Sequence, residues 1–272
     1  MKNIPLKSGY LIPTLGFGTW ELTGKSCFNA VLSALKSGYT HIDTAVMYEN
    51  ENFVGDAIFK SGIEREKLFI TTKIWFSHLH HADVIKFCRR SLKQLKTDYL
   101  DLLLIHWPNR SVPLKETFGA FEQLVENKQV RSIGVSNFNI HYLQDALEAT
   151  TLPISVNQVE FHPYLYQSEL LDFCRDNNIV ITAYSPLARG KILKDETIRQ
   201  IASRRNAEPS QIVLAWILSK NCTAIPKASS ESHIKSNLAA AEISLTDSEI
   251  REIDQIQVNS RTINPGWAEF DY

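Results

Sequence analysis

The sequence predicts an α/β protein: a closed (β/α)8 TIM barrel, helices outside, with an N-terminal β-hairpin closing the barrel floor. Three observations lead there. Apolar runs of strand length, rich in Ile, Val, Leu or Thr, recur eight times along the 272 residues. Stretches with helical spacing lie between them, the alternation that a parallel barrel requires. No break in composition and no linker divides the chain, so residues 1–272 are expected to form one domain. A doubly wound open sheet competes with the barrel. The glycine fingerprint GxGxxG that would favour it is missing: GFGTWE keeps only the first two glycines and follows no strong strand.

Element by element, KNIPLKSGYLIP reads as a small hairpin around Ser8-Gly9, and LGFGTW (15–20) is the first barrel strand. In CFNAVLSALKSGY (27–39), Val31, Leu32 and Leu35 share one helical face and Gly38 serves as the C-cap. THIDTA and LFITTKIW are the second and third strands, followed by a helix over 84–96, VIKFCRRSLKQLK. LDLLLIHW, the helix ETFGAFEQLVENK (116–128), RSIGVSNF and ISVNQVEF come next. The helix SELLDFCRDNN (168–178), the strand IVITAYS, the helix SQIVLAWILSK (210–220) and the strand CTAIPKA complete the barrel. DSEIREIDQI near the end reads as an amphipathic helix.

With 44% hydrophobic and 22% charged residues and a net charge of −1, the composition is that of a globular protein, with no basic tract for nucleic acid. The start, broken by Pro5, Gly9 and Pro13, has no signal-peptide core, and the longest apolar run is strand-sized, so a cytoplasmic protein without a membrane partner is expected. Cys27, Cys88, Cys174 and Cys222 form no CxxC pair and read as free buried thiols. SHLHH (77–81) brings three histidines together without the Glu of HExxH or a third ligand, so a helix start capped by Ser77 is the preferred reading and no metal is expected.

In such barrels chemistry gathers at the C-terminal ends of the strands. There the second strand offers Asp43 and, just beyond, Tyr48; the third offers Lys73 and the fourth His106. An Asp inside an apolar run is costly unless met by charge or hydrogen bonds, and Lys73 is its natural partner. A tyrosine beside that ammonium is expected to have a lowered pKa. Neutral His106 would orient the same oxygen. Such a group suits protonation of a carbonyl oxygen. It includes no electron source, so hydride must come from elsewhere.

The stretches LGFGTW, HIDTAVMYENE, TTKIW, YLDLLLIHWP, IGVSNF, NQVEFHPYLYQ, AYSPLARG and IPKAS together resemble the aldo-keto reductase family over nearly the whole chain, most nearly its bacterial 2,5-diketo-gluconate and methylglyoxal reductase branch. The resemblance implies a catalytic tetrad of Asp43, Tyr48, Lys73 and His106, with Tyr48 the general acid. It implies NADPH/NADP+ as cofactor, with NADH less favoured. Ser136, Asn137 and Gln158 would hold the nicotinamide carboxamide and Tyr184 would stack on its ring. Ser185 and Leu187 would follow the pyrophosphate, and Thr19, Trp20 and Asp43 would complete the nicotinamide end. Lys227, Ala228, Ser229, His233 and Asn237 would face the adenosine 2′-phosphate. Trp20, Trp75 and Trp107, with Tyr48 and His106, would wall a pocket for a small carbonyl substrate, and a monomer is the usual state.

This chain departs from the family at the phosphate segment. Where relatives read IPKS, then an Arg five residues on, then Glu-Asn, it has IPKASSESHIKSN. Lys227 and Asn237 remain, but Ala228, His233 and Ser236 replace the Ser, Arg and Glu. A guanidinium binds phosphate bidentately and is always charged, which an imidazole is not. A narrower preference for NADPH is therefore expected. Two other functions compete with carbonyl reduction. A non-catalytic NADP(H)-binding regulatory or structural subunit is disfavoured by the intact tetrad. A Schiff-base lyase acting through Lys73 is disfavoured because a paired carboxylate keeps that amine protonated.

Overall fold

The computed structural model describes residues 2–256 and 258–270. A hairpin of β1 (Asn3–Pro5) and β2 (Leu11–Pro13) turns at Ser8-Gly9. The barrel follows as β3 (Phe17–Gly18), β4 (His41–Asp43), β5 (Phe69–Ile74), β6 (Leu100–Ile105), β7 (Val130–Ser136), β8 (Ile154–Glu160), β9 (Val180–Tyr184) and β10 (Thr223–Ala224). All neighbours pair in parallel and in chain order. The ring closes at a short seam, where the Gly16 amide donates to the Ala224 carbonyl at 2.8 Å and the Ala224 amide to the Thr14 carbonyl at 3.0 Å. The expected (β/α)8 barrel is therefore present.

The helices are α1 (Gly24–Ser37), α2 (Glu51–Ser61), α3 (His81–Leu95), α4 (Leu114–Glu126), α5 (Ile140–Ala149), α6 (Ser168–Asp176), α7 (Glu196–Arg205), α8 (Pro209–Ser219), α9 (Glu231–Ala239) and α10 (Asp247–Asp254). Helix α1 ends where the spacing predicts, at Gly38, whose φ of 107° is the left-handed cap geometry that glycine adopts without strain. It begins three residues earlier than expected, at Gly24. Helix α3 corrects the expected cap: His80, not Ser77, precedes it, and Ser77 lies in a separate 3₁₀ turn, Phe76–His78. The Glu116 carboxylate, which accepts from the His81 amide and the His80 ring, replaces a side-chain cap there. Helix α8 is apolar all round because it is buried between α7, α9 and the barrel, and a capping box of Glu208 and Gln211 starts it.

Two apolar regions hold the fold. The larger lies between strands and helices; α2 and α3 approach so closely that a Cβ on Gly55 would stand 2.2 Å from the Gln94 carbonyl oxygen. The smaller is the barrel floor, where Ile4, Leu6 and Ile12 of the hairpin pack on Phe69, Leu102, Leu104, Val156 and Val180. The hairpin thus plugs the floor and leaves the opposite end, the C-terminal ends of the strands, as the open mouth. The four cysteines are free and buried.

Candidate active site

At that mouth β4 and β5 present Asp43 and Lys73, 1% and 0% exposed. Lys73 Nζ donates to Asp43 Oδ1 at 2.6 Å, to the Thr44 carbonyl at 2.8 Å and toward the Tyr48 hydroxyl at 3.4 Å, so each of its three protons has an acceptor. The second carboxylate oxygen of Asp43 accepts from Gln158 Nε2 at 2.8 Å. Burial works against both charges, raising Asp43 and lowering Lys73, while their attraction opposes each shift.

Tyr48 ends a 3₁₀ turn, Val46–Tyr48, that leaves the strand; Glu49 follows in the left-handed region. What holds this turn is a residue that the motif reading passed over. Buried Asn50 donates to the carbonyls of Thr19 and Leu22 at 2.9 Å each, and the Thr44 hydroxyl donates to its side-chain oxygen at 2.7 Å. One amide therefore joins the loop after β3, the end of β4 and the Tyr48 turn. An Asn two residues past the tyrosine was the only signal.

The expected lowering of the Tyr48 pKa does not occur in this arrangement. Burial pushes the phenol well above its ordinary value, and the negative charge of Asp43 adds to the shift. The ammonium acts as half of a neutralised pair rather than as a free cation. The phenol stays protonated at neutral pH, which makes it a proton donor. His106 shifts the other way: burial, then the Lys73 charge, holds it well below the usual imidazole range, so it is neutral. Its ring lies 5.7 Å from that of Tyr48 and 5.0 Å from that of Trp75.

Asp43, Tyr48 and His106 open on a cavity of about 730 Å³, whereas Lys73 is buried and does not line it. Thr19, Trp20, Trp75, Trp107, Ser136, Asn137, Gln158, Tyr184, Ser185, Leu187 and Lys227 all line the cavity. Ala228, Ser229, His233 and Asn237 do not. Ala228 and Asn237 are buried, and Ser229 and His233 are exposed beside the start of α9. Ser136, Asn137 and Tyr184 are joined: Asn137 Nδ2 donates to the Ser136 hydroxyl at 3.1 Å and the Tyr184 hydroxyl to Asn137 Oδ1 at 2.7 Å, while the Ser136 hydroxyl donates to the backbone carbonyl of Gln158 at 2.8 Å. Because Gln158 turns its side-chain nitrogen Nε2 to Asp43, its side-chain oxygen Oε1 is left as an acceptor.

The C-terminal segment supplies the wall that sequence alone left untraced. Thr262, Ile263, Asn264, Pro265 and Trp267 line the cavity, and the Trp267 ring lies 5.9 Å from Trp75 and 5.0 Å from Trp107. Asp271 and Tyr272, the end of that tail, lie outside the described residues. Burial pushes all four thiols up to about 12, so none is a ready nucleophile at neutral pH. Among the described residues no group of three His, Cys, Asp or Glu could hold a metal ion, and no helix is long and apolar enough to cross a membrane.

The chain as a whole is similar to known proteins. Glyoxal reductase of Bacillus subtilis is 38% identical over 95% of this chain and 94% of its own length. Methylglyoxal reductase DkgB of Escherichia coli O157:H7 is 39% identical over 93% and 96%. A crystal structure of an aldo-keto reductase from a Medee basin deep-sea metagenome library superposes with a TM-score of 0.94 at 36% identity, covering 96% of this chain and 97% of that one. Residues 14–258 match the profile of the aldo/keto reductase family. At that coverage and identity, the chain belongs to the aldo/keto reductase family and is an oxidoreductase.

Proposed function

We propose that this protein, acting as one domain, reduces small aldehydes, ketones and dicarbonyls to alcohols with NADPH, using Tyr48 as general acid. The observation that carries this reading is the convergence of a protonated, buried phenol, a neutral imidazole and the Lys73–Asp43 pair on one aromatic-walled cavity. The glyoxal and methylglyoxal reductase relatives support small dicarbonyls as the substrate class.

When bound, the nicotinamide cofactor supplies the hydride. The residues at the mouth fit it: a hydroxyl, two carboxamides and an aromatic ring stand at the ends of β7, β8 and β9, with the cation of Lys227 on the same cavity. Ser136, Asn137 and Gln158 would hold the carboxamide, Tyr184 the ring face, Ser185 and Leu187 the pyrophosphate. Lys227, with Ser229, His233 and Asn237 close along the chain, would meet the 2′-phosphate.

The protein's own steps concern the proton. Tyr48 donates its phenolic proton to the carbonyl oxygen as that oxygen gains electron density. Lys73 stabilises the phenolate left behind, and Asp43 holds Lys73 in place. His106 donates a hydrogen bond that sets the carbonyl's angle, and Trp20, Trp75 and Trp107 exclude water around it. The test is NADPH consumption with methylglyoxal, benzaldehyde and a simple ketone, repeated with NADH. Absence of turnover with every carbonyl and either cofactor overturns the reading.

A further inference from the structure

Glu160, the last residue of β8, is a carboxylate with no solvent exposure and, among the described residues, no Lys or Arg within ion-pair distance. Four donors meet it instead. His162 Nε2 lies 2.9 Å from Oε1; the Thr262 amide and hydroxyl reach the same oxygen at 2.7 and 2.5 Å; the Ile263 amide donates to Oε2 at 2.9 Å. Three of the four come from a segment a hundred residues downstream. Burial works to raise the Glu160 pKa, but the hydrogen bonds of His162 and of this segment outweigh it and hold the carboxyl below the usual range. A buried carboxylate is stable only while its donors stay, so the charge of Glu160 and the docking of the segment require each other.

The segment so held is the far wall of the cavity. Upstream, the Ser260 amide donates to the Tyr164 carbonyl at 2.7 Å. Downstream, Asn264, Pro265 and Trp267 line the mouth, Trp267 rests on Trp75, Phe76 and Trp107, and Glu269 accepts from Tyr142. Between these contacts, Glu160 holds the stretch that enters the cavity through the amides of Thr262 and Ile263 and the Thr262 hydroxyl. Glu160 itself does not line it and touches neither Tyr48 nor His106.

We propose that Glu160 is a positioning residue for substrate: it clasps Thr262 and Ile263, and so sets the wall of Asn264, Pro265 and Trp267 against which the larger part of a bulky carbonyl substrate packs. The size-dependent half of this proposal rests on the reductase reading above. A small dicarbonyl at Tyr48 and His106 leaves the Trp267 wall largely uncontacted, whereas an aromatic aldehyde reaches it. Loosening the clasp therefore penalises the aromatic substrate selectively.

The test uses Glu160→Gln, which turns an amide toward the strap donors, and Thr262→Val as a milder second variant should the first fold poorly. Arg261 sits inside the strap, so trypsin cleavage after Arg261 reports docking without reference to activity. In Glu160→Gln that cleavage is expected to accelerate by roughly 10-fold. KM for benzaldehyde is expected to rise about 10-fold, against about 2-fold for methylglyoxal. Thr262→Val shifts both readouts in the same direction and by less. Unchanged cleavage in both variants overturns the clasp. Faster cleavage with equal KM changes for the two substrates overturns its role in substrate selection. A wild-type protein that reduces neither carbonyl, alongside a strap that is cleaved faster in the variants, overturns the reductase reading and leaves the clasp standing.

Discussion

Replacing Lys73 with Met separates the two tasks of the ion pair, charge balance and support of the phenol. Both side chains are sealed from water, so Asp43 loses its counter-charge without gaining solvent. Breaking a buried pair from one side costs about 3–5 kcal/mol, and because Gln158 still donates to Asp43 the lower end, about 3 kcal/mol, applies. The catalytic loss follows from distance. An ammonium 3.4 Å from the phenol oxygen stabilises a phenolate there by about 5 kcal/mol at an effective dielectric constant of about 20. The opposing charge of Asp43 removes about half of that, which leaves about 2.5 kcal/mol, a fall in kcat of roughly 70-fold.

The stability loss should depend on pH with a definite sign. Asp43 is already raised above its ordinary 3.8 by burial, and loss of Lys73 raises it further. A carboxyl whose folded pKa exceeds its unfolded one binds a proton on folding, so stability is retained at low pH and lost as pH rises through the folded value. Urea unfolding should therefore show a larger deficit in Lys73→Met at about pH 8 than at about pH 5, and adding Asp43→Asn should recover part of the deficit at the higher pH. Equal deficits at both pH values, or no recovery in the double variant, would refute the pairing. Turnover close to wild type would refute the support of Tyr48.

Tyr48→Phe should lower kcat by about 10²- to 10⁴-fold, while the NADPH dissociation constant from fluorescence quenching changes by no more than about 2-fold. His233→Arg should widen the preference for NADPH over NADH by roughly 10-fold in the same binding assay, since a guanidinium forks onto phosphate; an unchanged ratio would leave discrimination to Lys227. Gly55→Ala should destabilise the fold by about 2 kcal/mol in urea unfolding, because its Cβ would meet the backbone of α3 and the overlap exceeds the helix-propensity gain.

Much of this site was legible because its parts obey short-range rules. Strand-sized runs place Asp43, Lys73 and His106 at the ends of successive parallel strands, and parallel order brings successive ends together. The pairing of Asp43 with Lys73 followed from the cost of burying either alone. Three things were not legible. The direction of the Tyr48 shift depends on how burial and two opposite charges balance at one oxygen, a matter of tenths of nanometres rather than of spacing. The role of Asn50 depends on carbonyls 28 and 31 residues away. The path of the tail depends on Glu160, whose partners carry no motif. Helix starts were read late wherever Gly, His or Pro opened the helix, as at Gly24, His81 and Pro209, because the apolar periodicity sets in only after the first turn.

The barrel's seam has a bearing on how the chain is made. Ring closure joins Leu15 to Ala224, through strands of two residues each. Every other strand pair forms between consecutive units, so a chain emerging from the ribosome can build its sheet in order, from β3 onward. Until residue 224 is out, that sheet is a growing arc with two open edges, and its first edge waits through the synthesis of some two hundred residues. Among the barrel's strand pairs the closing contact spans the longest stretch of chain and is made by the two shortest strands, so its loop-closure cost is the highest of them. The edge that waits longest is also one bank of the cavity, since Gly18 and Lys227 stand on either side of the seam. A nascent chain could therefore bring Asp43, Lys73 and His106 together before it had any closed mouth in which to use them.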